Sequence, residues 1–228
     1  TMAIDLGTLQ TQNNGGFVMN LEKGFVMNLE KAGKGLKNIT FAASWDPVFA
    51  GKKVDIDISA FIYHNDTLQS LDDVVWYKHT AAQTLQHSGD NRDGEGEGDD
   101  EKISVDLASI VKEYPNVSGI DFYINIYNHK SRGQSFQDVQ NAYARIINVD
   151  GNEELARYTL ERAPKRTDSS VKVGRLSYEN SEWIFKAIGE FAALEVEDIK
   201  KYYKDKKEGK IGSDDEAGKP RKKFLGIF

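Results

Sequence analysis

The sequence predicts an all-β fold, a sandwich or a barrel. Two observations carry that expectation. Most of the chain alternates apolar and polar residues with period two, which is the strand signal. Turns rich in Gly, Asn and Asp, such as NVDGNEE, separate the alternating runs. The first clear strand is KNITFAASW, with Ile39, Phe41, Ala43 and Trp45 on one face. KVDIDISAFIY places Val54, Ile56, Ile58, Ala60 and Ile62 on one face and Asp55, Asp57 and Ser59 on the other. VVWYK is a short apolar run, KISVDL alternates Ile103, Val105 and Leu107, and GIDFYINIY alternates Ile120, Phe122, Ile124 and Ile126. AYARIINV, ELARYTL, VKVGRLSY and EWIFKAIG read as four more strands. Two segments break the pattern. Leu107–Tyr114, followed by Pro115, predicts a short helix, and Phe191–Lys207 is rich in helix formers and stops before Gly209.

The chain has 228 residues, 39% hydrophobic and 29% charged, enough for one sizeable core. No apolar run is long enough to span a bilayer. The stretch TMAIDLGTLQTQ has neither a basic start nor an apolar centre, so no secretory signal is expected. Cysteine is absent, which excludes disulfides, thiolate zinc sites and cysteine nucleophiles, and fits a cytoplasmic protein. The net charge of -6 is unevenly spread. Asp90–Glu101, DNRDGEGEGDDE, holds seven acidic residues against one arginine. From Lys200 onward, ten Lys or Arg stand against five Asp or Glu.

The acidic stretch carries the chemistry. Bare carboxylates at this density repel one another, and Gly94, Gly96 and Gly98 permit tight backbone paths with positive φ. Carboxylates and carbonyls on a glycine loop suit a hard cation. Calcium takes six to eight oxygens in irregular geometry, whereas magnesium prefers fewer carboxylates and more water. The pattern is not an EF-hand, because the third residue from Asp90 is Arg92 and the sixth is Glu95. A solvated acidic loop is the bland alternative. The pair Asp55 and Asp57 on one strand face favours the metal. The four histidines have no metal-ligand spacing, and His87 reads as a polar strand end or a sensor of the loop's charge. No G-x-S-x-G elbow or phosphate-binding glycine loop is present, and no base or nucleophile set supports an enzyme. Nucleic acid is not an expected partner. Arg132 and Arg145 read as loop anchors or as a ligand site.

With these residues in view, HSGDNRDGEGEGDDEKISVDL resembles the signature of TerD-type tellurium-resistance, or calcium-binding stress, proteins. WDP at Trp45–Pro47, DIDISAF at Asp55–Phe61, DDVVWY at Asp72–Tyr77 and RGQSFQDVQNAYARI at Arg132–Ile146 follow in the family's order, as do EELARYTL and EWIFKAIG. The resemblance implies a β-sandwich of two antiparallel sheets, here with a short helix and a C-terminal helical extension. It also implies a cytoplasmic protein of bacteria or their phages, with two calcium ions at one end and no catalytic activity. Carried over residue by residue, it makes Asp55, Asp57, Asp90, Asn91, Asp99, Asp100 and Glu101 the metal ligands. Glu95 and Glu97 come second, and Asp46 and Asp73 are further candidates. Asn128 stands where the family often has aspartate.

The expected division is an N-terminal segment at 1–23, a domain at 24–190 and a helical extension with a basic tail at 191–228. The segment 1–23 holds the first copy of an exact repeat, GFVMNLEK at Gly16–Lys23 and again at Gly24–Lys31. An even period keeps the same face buried, so either copy suits the same strand slot. The second copy reads as the usual first strand and the first as surplus. The tail KPRKKFLGIF offers Phe224, Leu225, Ile227 and Phe228 behind four cations, as a docking peptide or a weak contact with anionic membrane. Two functions follow. Calcium orders the acidic loop to control a protein partner or a membrane-associated complex. Alternatively, calcium is a static staple in a structural or assembly protein of the kind a phage would carry, with the tail making the contacts.

Overall fold

The computed structural model describes residues 9–11, 17–32, 36–46, 48–49, 51–92 and 98–210. In chain order the elements are β1 (Leu9–Thr11), β2 (Phe17–Asn20), β3 (Val26–Asn28), α1 (Leu29–Ala32), β4 (Asn38–Ser44), β5 (Val48–Phe49), β6 (Lys52–Lys53), β7 (Ile56–His64), β8 (Val74–Val75), β9 (Ala81–Ala82), β10 (Leu85–His87), β11 (Glu101–Asp106), α2 (Leu107–Glu113), β12 (Val117–Ile126), α3 (His129–Arg132), β13 (Tyr143–Asn148), β14 (Glu153–Thr159), β15 (Ser170–Glu179), β16 (Glu182–Ala192) and α4 (Val196–Lys207). An eight-stranded sheet runs β1-β2-β14-β13-β4-β11-β10-β9, and a six-stranded sheet runs β3-β16-β15-β12-β7-β8. The fold is therefore the expected two-sheet sandwich. Its pairs are antiparallel except β2 with β14, which run parallel.

The alternating residues of the two sheets meet in one core. Phe41 of β4 stacks on Phe122 of β12 with ring centroids 4.4 Å apart. Ile39, Ile56, Ile58, Ile62, Ile103 and Ile120 surround them, all buried. Burying such side chains is the dominant favourable term in folding. The second face of β7 is buried as well. Phe61 and Tyr63 form a smaller cluster with Val74, Trp76 and Tyr123, capped by Val196 and Ile199 of α4. This explains why α4 lies against the six-stranded sheet. It starts at Val196 rather than Phe191, because β16 runs through Ala192 and pairs its last residues with Ser170 and Val171. VVWYK shrinks to the two-residue β8.

The two octapeptides do not compete for one slot. The first supplies β2, which pairs with β1 and then with Ala156 and Arg157 of β14. The second supplies β3, which pairs with Ile184–Lys186 of β16 on the other sheet. Leu21 and its counterpart Leu29 are both buried in the same core. Identical segments thus close the same side of the sandwich from opposite sheets. The second copy is a strand only over Val26–Asn28, and Leu29 already opens α1.

Candidate metal centre

Asp55, Asp57 and Asp90 each bring a carboxylate oxygen within 4.8 Å of the others. The fold explains the meeting. Val54, Ile56 and Ile58 point into the core, so period two turns Asp55 and Asp57 to the other face at the start of β7. Asp57 is paired in register with Asn125 of β12, and Tyr127 N–H donates to the Asp55 carbonyl at 2.9 Å. Asp90 comes from the first leg of the acidic loop. The base of that loop is closed by Ser88 N–H donating to the Lys102 carbonyl at 2.8 Å. Gly98, at φ +100, allows the return.

Two of the three carboxylates are buried, and the third, Asp90, is exposed. Asp55 is 6% exposed and Asp57 3%. Burial, reinforced by the charges of Glu101, Asp55 and Asp90, pushes Asp57 up to about 9. Burial also raises Asp55 to about 6, against the opposing charge of Arg132, whose Nη1 stands 3.5 Å from Asp55 Oδ2. Arg92 Nε donates to Asp90 Oδ2 at 2.9 Å. Asp55 Oδ1 and both polar atoms of the Asn125 side chain are buried without a hydrogen-bond partner. Unpaired buried oxygens are costly, and an oxygen-only donor set is hard in character. A cavity of about 200 Å³ continues from Asp57 and Asn125 towards Tyr77, Tyr127 and Glu195. These residues fit a hard divalent cation. A larger hollow of about 360 Å³ between Phe136, Ala142 and Leu160 contains only one carboxylate residue, Glu161.

The described acidic residues on the return leg, Asp99, Asp100 and Glu101, bond to the protein around the loop. Glu101 is fully buried at the start of β11. Its Oε2 accepts from Ile58 N–H at 2.8 Å, beyond the point where short β8 stops pairing with β7, and its Oε1 accepts from Asn91 N–H at 3.2 Å. Glu101 thereby ties one sheet to the other. Burial raises its pKa, opposed by His87, whose Nε2 lies 3.4 Å from Oε2. His87 Nδ1 accepts from Gly89 N–H at 3.0 Å, which places the proton of the neutral ring on Nε2, facing Glu101. Asp100 Oδ2 accepts from Trp45 N–H at 3.0 Å, and its carbonyl accepts from the Asn91 amide at 3.2 Å. Asp99 is engaged by Arg145 through two bonds of 2.7 and 2.9 Å.

A family model described as the TerD domain matches residues 17–203. The chain belongs to the TerD domain family. It is 34% identical over 176 residues to Tellurium resistance protein TerD of Serratia marcescens, covering 75% of this chain and 90% of that one. It is 35% identical over 176 residues to General stress protein 16U of Bacillus subtilis (strain 168), covering 75% and 89%. Among solved structures, a homologue of telluride resistance protein (TerD) from Streptomyces coelicolor A3(2) superposes with a TM-score of 0.56 at 20% identity, covering 71% of this chain and 93% of that one.

Within this TerD domain, three of the seven expected ligands, Asp55, Asp57 and Asp90, converge. Asn91, Asp99, Asp100 and Glu101 are nearby but hydrogen-bond to the protein itself. Asp46 accepts from Asn141 at 2.6 Å, and Asp73 closes a capping box with Ser70, so neither joins the cluster. Glu95 and Glu97, and the tail residues Phe224, Leu225, Ile227 and Phe228, lie outside the described residues. Arg145 is a loop anchor, acting through the Asp99 carboxylate. Three neighbours of the site escaped the sequence reading: Asn125, Arg132 as the counter-charge of Asp55, and the Glu195 region before α4. Asn125 had a signal, as the polar residue interrupting the apolar run INIY, and Arg132 was legible as a loop anchor or ligand site but not as the partner of Asp55. Among the described residues, no helix is long and apolar enough to cross a membrane.

Proposed function

We propose that this TerD domain is a non-enzymatic, cytoplasmic calcium-binding module of a tellurium-resistance or stress-response system. The reading rests on one observation: three carboxylates on two separate chain segments converge around buried oxygens without partners. Asp55, Asp57 and Asp90 would hold the ion, with Asn125 beside them. Calcium would supply the positive charge that lets neighbouring carboxylates ionise together. Asp57 would release its proton on loading, and Arg132 and Arg92 would give up Asp55 and Asp90. The freed guanidinium groups, that of Arg132 lying 5.4 Å from the Tyr127 ring centroid, would then alter the surface offered to a protein or membrane-associated partner. Among the described residues there is one such cluster, which would take one of the two ions that the resemblance implies.

A second reading is favoured by the anchoring of Asp99, Asp100 and Glu101. A loop held this firmly suits a static calcium staple in an assembly protein. Affinity separates the two, since a micromolar site acts as a sensor and a nanomolar one stays filled. The test is calorimetric titration of metal-stripped protein with calcium, with magnesium as control and Asp55→Asn in parallel. Selective calcium heat that Asp55→Asn loses supports the module. No calcium heat and no change in melting temperature would refute it.

A further inference from the structure

A charged ladder runs from the acidic loop across the eight-stranded sheet. Arg145 Nε and Nη2 grip the Asp99 carboxylate, which is 3% exposed, at 2.7 and 2.9 Å. Arg145 Nη1 donates to Glu154 Oε2 at 2.8 Å. Glu154 takes two further bonds from Arg157, at 2.6 and 2.8 Å, and the Arg157 guanidinium lies 4.1 Å from the Tyr143 ring centroid. Two-point Arg–carboxylate pairing fixes direction as well as distance. Asp99 leads directly into Asp100 and Glu101, which bind the backbone of Trp45 and Ile58 and both amide groups of Asn91. Asn91 is the neighbour of Asp90. A continuous set of bonds therefore runs from Arg145 to the one cluster carboxylate that the acidic loop supplies.

We propose that Arg145 is the positioning residue of the cation site. It holds the return leg of the acidic loop so that Asp90 faces Asp55 and Asp57, without touching the ion. The inference rests on the proposed calcium reading. It opposes simple charge reasoning. A guanidinium near a cation site should weaken cation binding, so deleting it should tighten calcium if charge alone mattered. Positioning predicts the reverse.

The test compares Arg145→Met, Arg145→Lys and Arg157→Met with the wild type. Arg157→Met breaks the same ladder beyond the loop and controls for stability. Calcium affinity is read by calorimetry on protein shown to be folded by circular dichroism. Loop order is read separately, as the rate of tryptic cleavage after Arg92 in EDTA. Arg145→Met should weaken calcium about tenfold, as loss of a group that orients a metal ligand does. Arg145→Lys keeps the charge but not the fork, and should also weaken binding and speed cleavage at Arg92. Arg157→Met should leave both readouts within about twofold. Unchanged or tighter calcium binding in Arg145→Met, or an equal loss in Arg157→Met, would overturn the proposal. If the wild type takes no calcium, the calcium reading fails. The cleavage rates then decide alone, and a wild-type rate at Arg92 in both Arg145 variants would overturn the positioning role.

Discussion

Replacing Asp57 with asparagine should stabilise the metal-free protein while abolishing its response to calcium. Asp57 is buried beside Asp55, Asp90 and Glu101, and its folded pKa is about 9 against an ordinary 3.8. The fold therefore holds a proton that the unfolded chain has lost by pH 7. Each pH unit of that difference is worth about 1.4 kcal/mol. From the ordinary value to pH 7, the cost to the metal-free fold comes to about 4 kcal/mol. Asparagine removes that cost but leaves an amide with few partners, which costs about 1–3 kcal/mol. A net gain of about 2 kcal/mol should raise the melting temperature by roughly 4–8 °C in a domain of this size. The assay is thermal unfolding in EDTA and in excess calcium, over pH 6–9. In EDTA, Asp57→Asn should melt higher than wild type, by more at pH 9 than at pH 6. In calcium the wild type should gain about 3 kcal/mol at a hundredfold excess over Kd, and the variant nothing. A variant that melts lower than wild type in EDTA, by the same margin at every pH, would refute the reasoning. Asp57 would then be a stabilising charge with a native partner.

Four further outcomes follow from the same geometry. Wild-type stability in EDTA should fall as pH rises, because the raised Asp55 and Asp57 contribute fully below about 4 and lose that contribution as pH passes about 6 and then about 9; a melting series checks the slope. Calcium affinity should rise over the same range, with protons released on binding, as titrations in buffers of different ionisation enthalpy would measure. Arg132→Gln should tighten calcium several-fold, because a half-exposed positive charge 3.5 Å from Asp55 competes at about 1 kcal/mol; an unchanged Kd would contradict this. Phe41→Ala should cost about 3–5 kcal/mol in denaturant unfolding, since it empties the stack that joins the two sheets.

Much of this protein is written in local pattern. Side-chain alternation is a property of a strand taken alone, so Ile39–Trp45, Val54–Ile62 and Ile120–Ile126 reveal their buried faces before any partner is known. The density of carboxylates in Asp90–Glu101 raises the expectation of a cation in the same local way, and the short helix before Pro115 follows from local signals. What the sequence by itself could not settle is which acidic residue faces the site. Asp90 and Asp99 look alike along the chain. Only the registers of β11 and of β13 on their shared neighbour β4 bring Arg145 to Asp99 and leave Asp90 with Asp55 and Asp57. The buried role of Glu101 likewise depends on β8 ending early and leaving Ile58 N–H open. The octapeptides make the point most directly. The same eight residues form a strand lying between antiparallel β1 and parallel β14 in one sheet and an antiparallel edge strand in the other, so their own preferences cannot have chosen. The choice lies in the backbone edges that β14 and β16 present, and those exist only once the sandwich has closed.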